Sequence, residues 1–341
     1  MATIRDVAQR AGVSMSTVSY ALNGNRPISD ETRSRIQAAV DELGYQRNAA
    51  ARALASRRSH VIALVVPPVS GGMGATIGEF VEAATAEAED NGYALMIWPF
   101  ANREYAKVDH FVQARLADGV LVMEVTLDDP RIAVLEAAKV PFTMIGRTRD
   151  TTGQSWVDID FEQSTAMVID RLAELGHRHI ALINHSPAML DDLYGPAVRT
   201  RDAFRAGTAA RGMLGIDFPC DESAISGRQV VSEILTRDPA TTALITLNET
   251  ATFGVMSELH DRGLSVPGDV SVVGLATSPA VATMSTPRLS AWNVPGQALG
   301  RTAVQELLEV IDEQQRRDRA RLFLCEFTEG ETIASAVERS K

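Results

Sequence analysis

Two cysteines, Cys220 and Cys325, are all that 341 residues contain, and they lie far apart. That excludes a thiolate metal cluster and a disulfide scaffold, and predicts reduced thiols in a cytoplasmic protein. No run of about 18 apolar residues occurs, so no membrane-spanning helix is expected. The opening MATIRDVAQR has no apolar stretch after a basic start, so secretion is not expected either. Enzyme motifs are scarce. GGMG at 71–74 lacks a following Lys-Ser and does not complete a dinucleotide fingerprint. His177 and His179 read as solvent-facing or packing residues, and no Ser-His-Asp arrangement can be assembled. No catalytic residue, metal or cofactor is therefore expected.

What is present is an uneven charge. The net charge is -11, yet residues 1–60 hold nine Arg or Lys against five Asp or Glu. A basic module followed by an acidic body suits a chain that meets phosphates at one end only. The length also exceeds one compact core and implies two or three domains.

Three helices are predicted in the first 45 residues. Thr3 to Asp6 has capping-box spacing, with Val7, Ala8 and Ala11 on one face and Gly12 as terminator. Ser14 caps a second helix with Val18, Ala21 and Leu22 inward, ending at Asn23-Gly24. Ser29 caps a third with Ile36, Val40 and Leu43 inward and Gly44 at its end. A three-helix bundle satisfies the same pattern. The outward face of the second helix favours helix-turn-helix: Ser14, Met15, Ser16, Thr17, Ser19 and Tyr20 are small or hydroxyl-bearing, where a solvated face more often carries Glu and Lys. Next, residues 45–59, YQRNAAARALASRRS, form either a plain linker or a short helix that folds on DNA. In the second reading Asn48 caps it, Leu54 wedges between base steps, and Arg52, Arg57 and Arg58 reach the backbone.

From residue 60 the pattern alternates. Apolar runs at 61–67, 94–100, 119–125 and 142–147 read as buried parallel strands with helices between them; IGEFVEAATAEAEDNG places Ile77, Phe80, Val81 and Ala84 on one face. The alternation restarts at 179–184, 243–248 and 270–276, which predicts two doubly wound α/β subdomains. Segments 289–295 and 321–327 are expected to cross between them. Ligands of such folds bind beyond the carboxyl ends of the strands. The polar groups expected there are Glu124, Arg147, Asp160, Asn248, Glu249 and Thr277, with Arg201 on a helix and Trp292 in a crossover.

TIRDVAQRAGVSMSTVSYALNG followed by NAAARALA resembles the lactose/galactose-repressor family of bacterial transcription regulators, and VPFTMIGR, LGHRHIALI, SVVG and PRLSAWNVPGQALGR extend the resemblance over nearly the whole chain. The resemblance implies a multidomain protein. A small all-α helix-turn-helix headpiece (1–45) and a hinge helix or linker (46–59) precede a core (60–341) of two α/β subdomains of periplasmic-binding-protein type. The N-subdomain would take about 60–157 and 291–322, the C-subdomain about 158–290 and 323–341. It further implies that Met15, Ser16 and Tyr20 face base edges, that Thr3, Ser14, Thr17, Asn23, Ser29, Thr32 and Asn48 contact the DNA backbone, and that Leu54 is the hinge wedge. Arg147, Arg201 and Asn248 match effector contacts, Glu249 stands where Asp is usual, and Trp292 could stack on a sugar face.

Three departures matter. Tyr20 stands where Arg is common and cannot bind guanine in a bidentate way, and Arg47 stands where Pro is common. After SVVG the family carries an aromatic residue and two Asp, whereas this chain has Leu275-Ala276-Thr277. Either Glu124, Asp160 or Glu249 supplies the acidic anchor, or the effector is no simple sugar but a nucleobase or sugar phosphate. The expected protein is a nucleoid-associated homodimer. It binds a pseudo-palindromic operator in double-stranded DNA under control of a small effector, a carbohydrate on the family pattern. The end of the chain, TIASAVERSK, has no heptad repeat, so no tetramer is expected. A solute-binding protein and an α/β enzyme are the rival readings.

Overall fold

The computed structural model describes residues 2–23, 28–45, 58–66, 74–99, 108, 114, 116–313 and 319–337. The chain divides into two compact units, 1–59 and 60–341.

The first unit holds α1 (Ile4–Ala11), α2 (Met15–Asn23) and α3 (Asp30–Leu43). Thr3 closes the capping box: its Oγ1 accepts from the Asp6 N–H, and the Asp6 carboxylate accepts from the Thr3 N–H at 2.8 Å. Gly12 ends α1 at φ 66°, a conformation that excludes most side chains, and the Val13 N–H returns to Ala8 O at 3.0 Å. The turn into α2 is therefore tight. Val7, Ala8, Ala11, Val18, Ile36 and Ala39 form the core. Ala39 is buried, while the predicted Val40 and Leu43 only pack at its margin; three helices this short leave room for a methyl at the crossing and no more.

The second unit is two lobes, each a six-stranded sheet flanked by helices. The first lobe contains β1 (Val61–Val66), α4 (Ala75–Asp90), β2 (Ala94–Pro99), β3 (Gly119–Val122), α5 (Pro130–Ala137), β4 (Phe142–Ile145) and β5 (Ser155–Ile159). The second contains α6 (Phe161–Glu174), β6 (His179–Ile183), α7 (Pro187–Asp191), α8 (Gly195–Ala210), β7 (Leu214–Phe218), α9 (Ala224–Arg237), β8 (Ala243–Thr246), α10 (Glu249–Asp261), β9 (Ser271–Thr277), α11 (Pro279–Met284) and β10 (Ser290–Asn293). The chain then returns to the first lobe through α12 (Gly296–Glu313) and β11 (Arg319–Phe323), and ends its sheets in the second lobe with β12 (Glu326–Thr328).

The strand orders are β11-β5-β4-β3-β1-β2 and β12-β10-β9-β8-β6-β7, parallel throughout except for the β10–β12 pair. In both lobes the order reverses beside the first strand, so β1/β3 and β6/β8 are the switch points where a crevice opens. One hydrophobic cluster runs through both lobes, from Ile62 and Leu121 to Leu182 and Leu275.

Several expectations change. Residues 94–99 form an edge strand with Ala94, Ile97 and Pro99 exposed, not a buried one, because nothing pairs beyond it in the sheet. β5 and β7 are strands that their mixed sequences SWVDI and LGIDF concealed. His177 is a packing residue. Its Nε2–H donates to Ala334 O at 3.0 Å, which leaves Nδ1 to accept from the Thr242 hydroxyl at 2.8 Å. Burial pushes its pKa below the usual 6.5, so the neutral ring belongs to the folded state. The unfolded chain binds a proton there first as pH falls. His177 therefore contributes stability fully above about pH 6.5 and loses it on acidification. Urea midpoints of wild type and His177→Gln should converge as pH falls below about 6.5; parallel curves would contradict this.

Candidate functional site

Two features of this chain are built for contact. The first is the surface of α2. Met15, Ser16 and Tyr20 are exposed, Met15 by 47% and Tyr20 by 37%, while Thr17 and Ser19 are half-buried. Ser14 Oγ accepts from the Thr17 N–H at 3.0 Å and lies 2.8 Å from Thr17 Oγ1. Ser29 does the same for α3, accepting from the Thr32 N–H at 3.3 Å. Thr3, Ser14 and Ser29 thus sit at three helix N-termini, where the peptide dipoles favour an anion such as phosphate. Asn23 closes α2, but its side chain lies outside the described residues, as do Asn48, Arg52 and Leu54 entirely.

The second is a cavity of about 470 Å³ in the second unit, enclosed by the carboxyl ends of both sheets. The first lobe contributes Glu124 after β3, Ile145 and Asp158 at the ends of β4 and β5, and Phe80 and Thr76 from α4. The second contributes His185 after β6, Asn248 and Glu249 after β8, Ala276 in β9, and Glu222 to Ile225 leading into α9. Tyr194 and Phe161 complete an aromatic wall. Two of these residues, Glu124 and Ala276, hold φ of 49° and 52°, a region that L-residues seldom adopt.

Each carboxylate has its own surroundings. Glu124 is carried by a loop that Arg131 clamps, its Nη2 donating to the carbonyls of Met123 (2.9 Å) and Glu124 (3.0 Å). Burial raises the Glu124 pKa, with His185 and Arg131 opposing and Glu222 reinforcing. Glu222 lies 3.0 Å from His185 Nδ1, and that contact holds its pKa down. Glu249 Oε1 accepts from Thr76 Oγ1 of the opposite lobe at 2.7 Å and from the Ser278 N–H at 2.5 Å. Asn248 caps α10: its Oδ1 accepts from the Ala251 N–H and its Nδ2 donates to Cys220 O, both at 3.0 Å. Asp158 is buried, and desolvation pushes its pKa up to about 7 against the pull of Arg147 and Arg199.

Of the eight residues expected there, Glu124, Asn248 and Glu249 line this cavity; the other five do not. Arg147 turns to Glu162 (2.7 Å) and lies over the Trp156 ring, because its strand end faces a shallow depression behind Asp158. Asp160 caps α6 by accepting from the Gln163 N–H at 2.8 Å and lines the same depression. Arg201 pairs with its neighbour Asp202 at 3.0 Å. Trp292 is 5% exposed and packs on Phe327 with ring centroids 4.5 Å apart, so it offers no face for stacking. Thr277 is buried too, with its hydroxyl unbonded. His185, Tyr194 and Glu222 were missed. His185 follows the run HIALIN and was within reach of the strand-end rule; Glu222 follows β7, whose sequence does not read as a strand.

An exposed helix-turn-helix on a chain whose second unit has two doubly wound lobes defines a class: DNA-binding regulators on a periplasmic-binding-protein scaffold. Residues 3–48 match bacterial regulatory proteins of the lacI family, and residues 169–333 match a periplasmic binding protein-like domain. The chain is 31% identical over 325 residues to the HTH-type transcriptional repressor PurR of Escherichia coli, covering 91% of each. It is 30% identical over 322 residues to the HTH-type transcriptional regulator CelR of Thermobifida fusca, covering 91% of this chain and 92% of that one. Catabolite control protein A of Priestia megaterium is 27% identical over 319 residues, 92% of this chain and 93% of its own.

Among solved structures, the CelR–cellobiose complex has a TM-score of 0.71 at 27% identity, covering 97% of this chain and 100% of that one. The lac repressor dimer bound to operator and the anti-inducer ONPF shares the fold, with a TM-score of 0.83 at 24% identity over 98% and 99% of the two chains. The chain belongs to the lacI family of bacterial regulatory proteins. It is a DNA-binding transcriptional regulator and not an enzyme. Among the described residues, no helix is long and apolar enough to cross a membrane.

Proposed function

We propose that the chain is a repressor that binds a pseudo-palindromic operator as a homodimer, in the cytoplasm, and that a small molecule in the interlobe cavity controls binding. One observation carries the second part: the cavity is shared by both lobes, so a ligand touching Glu124 and Glu249 at once couples to the lobe angle. A coupling of about 1–3 kcal/mol between the two sites suffices for regulation. Ligand that releases DNA is the favoured sign. The cellobiose complex of the CelR neighbour supports a sugar-sized effector.

Selection from a random-duplex pool tests the first part. Enriched sequences should be inverted repeats with half-site centres about one DNA turn apart; a single half-site or a direct repeat would count against the homodimer. Ser14, Ser16, Thr17 and Ser19 carry no bidentate reader, so base preference should rest on Met15 and Tyr20. Leu54→Ala should weaken operator binding far more than binding to random duplex, because a wedge acts only where the DNA is kinked. Anisotropy titrations on both duplexes measure this; equal losses would remove the wedge.

A further inference from the structure

The helix starts around the cavity each already have a side chain or a carboxylate of the protein at their first turn. Helix N-termini are the usual anion sites of this architecture, since their first N–H groups lack partners. Here Ser223 takes the N-terminal N–H of Ser226 in α9, Asn248 that of Ala251 in α10, and Asp160 that of Gln163 in α6. The start of α4 has no side-chain cap. It receives Glu249 from the other lobe instead, through Thr76 Oγ1, with Glu249 Oε2 lying 3.7 Å from a Cβ built on Gly74.

Among the described residues no Arg or Lys lines the cavity. Four carboxylates do, and three are provided for: Glu249 as above, Glu222 by His185, and Asp158 by Arg147 at 3.7 Å and Arg199 at 3.9 Å from behind. Asp158 still keeps Oδ2 without a hydrogen bond, on a side chain only 4% exposed. Among the described residues the Glu124 carboxylate has no hydrogen-bond or ion-pair partner, and the groups facing it are His185, Glu222, Tyr194 and, beyond its own carbonyl, Arg131. Ala276 in β9 presents only a methyl group to the cavity. The remaining wall is apolar or aromatic, with Phe80, Phe161 and Tyr194 able to face a cation.

Resting on the effector reading above, we propose that the molecule this cavity takes carries a protonated amine, set against the Glu124 carboxylate, on a neutral body of about monosaccharide size. Phosphorylated and carboxylated compounds are disfavoured by the same arrangement, because their charge would meet four carboxylates, and the one described lining side chain that can carry a positive charge, His185, is already engaged by Glu222.

The test uses the full chain and two probe sets, each with a common body and a cationic, neutral or anionic substituent: D-glucosamine, D-glucose and D-glucose 6-phosphate; benzylamine, benzyl alcohol and benzoate. Thermal midpoints and isothermal titration are read for wild type, Glu124→Gln and Glu222→Gln. An amine should raise the midpoint where its neutral and anionic counterparts do not. Glu124→Gln should weaken that amine at least tenfold, and Glu222→Gln should retain the preference for it. A neutral or anionic member binding as well as its amine overturns the proposal and leaves the effector cavity standing. No shift from any probe in any of the three proteins overturns both.

Discussion

Replacing Arg131 with methionine is expected to destabilise the core by about 3–5 kcal/mol, the cost of leaving one member of a buried ion pair behind. Arg131 is fully buried, and so is Asp129, 2.6 Å away. Methionine fills most of the volume, so the loss is electrostatic rather than a cavity. The Asp129 carboxylate would keep its bonds to the Thr126 and Arg131 N–H groups but lose both guanidinium contacts. The carbonyls of Met123 and Glu124 would lose their donor as well. Adding Asp129→Asn to Arg131→Met should recover a large part of the loss, since it removes the stranded charge; urea unfolding of the two variants measures it. Equal stability of Arg131→Met and wild type would mean that the pair contributes nothing net. The functional consequence is local. Without Arg131 the carbonyls of Met123 and Glu124 lose the donor that ties them together across the left-handed Glu124, so ligand affinity should fall in step with stability.

Gly254→Val should cost about 3 kcal/mol or more, as overpacking that side-chain rotation cannot relieve. A Cβ on Gly254 would run into the carbonyl of Ala224, and one on Gly227 into the carbonyl of Ala251. The two contacts are reciprocal: α9 and α10 touch backbone to backbone through paired glycines. Alanine would gain up to about 1 kcal/mol of helix propensity at either position, yet the clash is with backbone and outweighs it. The crossing matters for the site because the first turns of these helices carry Ser223, Ala224 and Ile225 beside Asn248, Glu249 and Thr250 into the cavity. Spreading the helices by one methyl moves Glu249 away from Thr76. Calorimetry of Gly254→Val should show the transition of the second unit lowered and that of the first unit unchanged. A wild-type midpoint would refute the close crossing.

How much of this was legible in the sequence depends on the range of the forces involved. The headpiece was almost entirely legible. Its signals are caps, glycine terminators and a 3.6-residue period, all satisfied within a few residues, and Thr3, Gly12, Ser14 and Ser29 act as their sequence neighbours dictate. The alternation of apolar runs and amphipathic helices likewise defined two doubly wound lobes, because a strand buried on both faces must be continuously apolar. Strands with one polar turn or an exposed edge, such as 155–159 and 214–218, gave no such signal.

The sequence by itself therefore determined the class of protein and the general location of its cavity. Only the tertiary structure decided which polar residues face that cavity. Arg147, Asp160 and Trp292 stand near strand ends and Arg201 in the second turn of α8, yet an ion pair to Glu162, a helix cap, the Phe327 ring and a neighbouring Asp202 turn each of them elsewhere. Glu124, Asn248 and Glu249 remain, and His185 and Glu222 join them, brought together from two lobes by strand order and helix crossing. Side-chain direction at a strand end is set by the partner that satisfies it, and which of the available partners does so follows from packing rather than from sequence spacing.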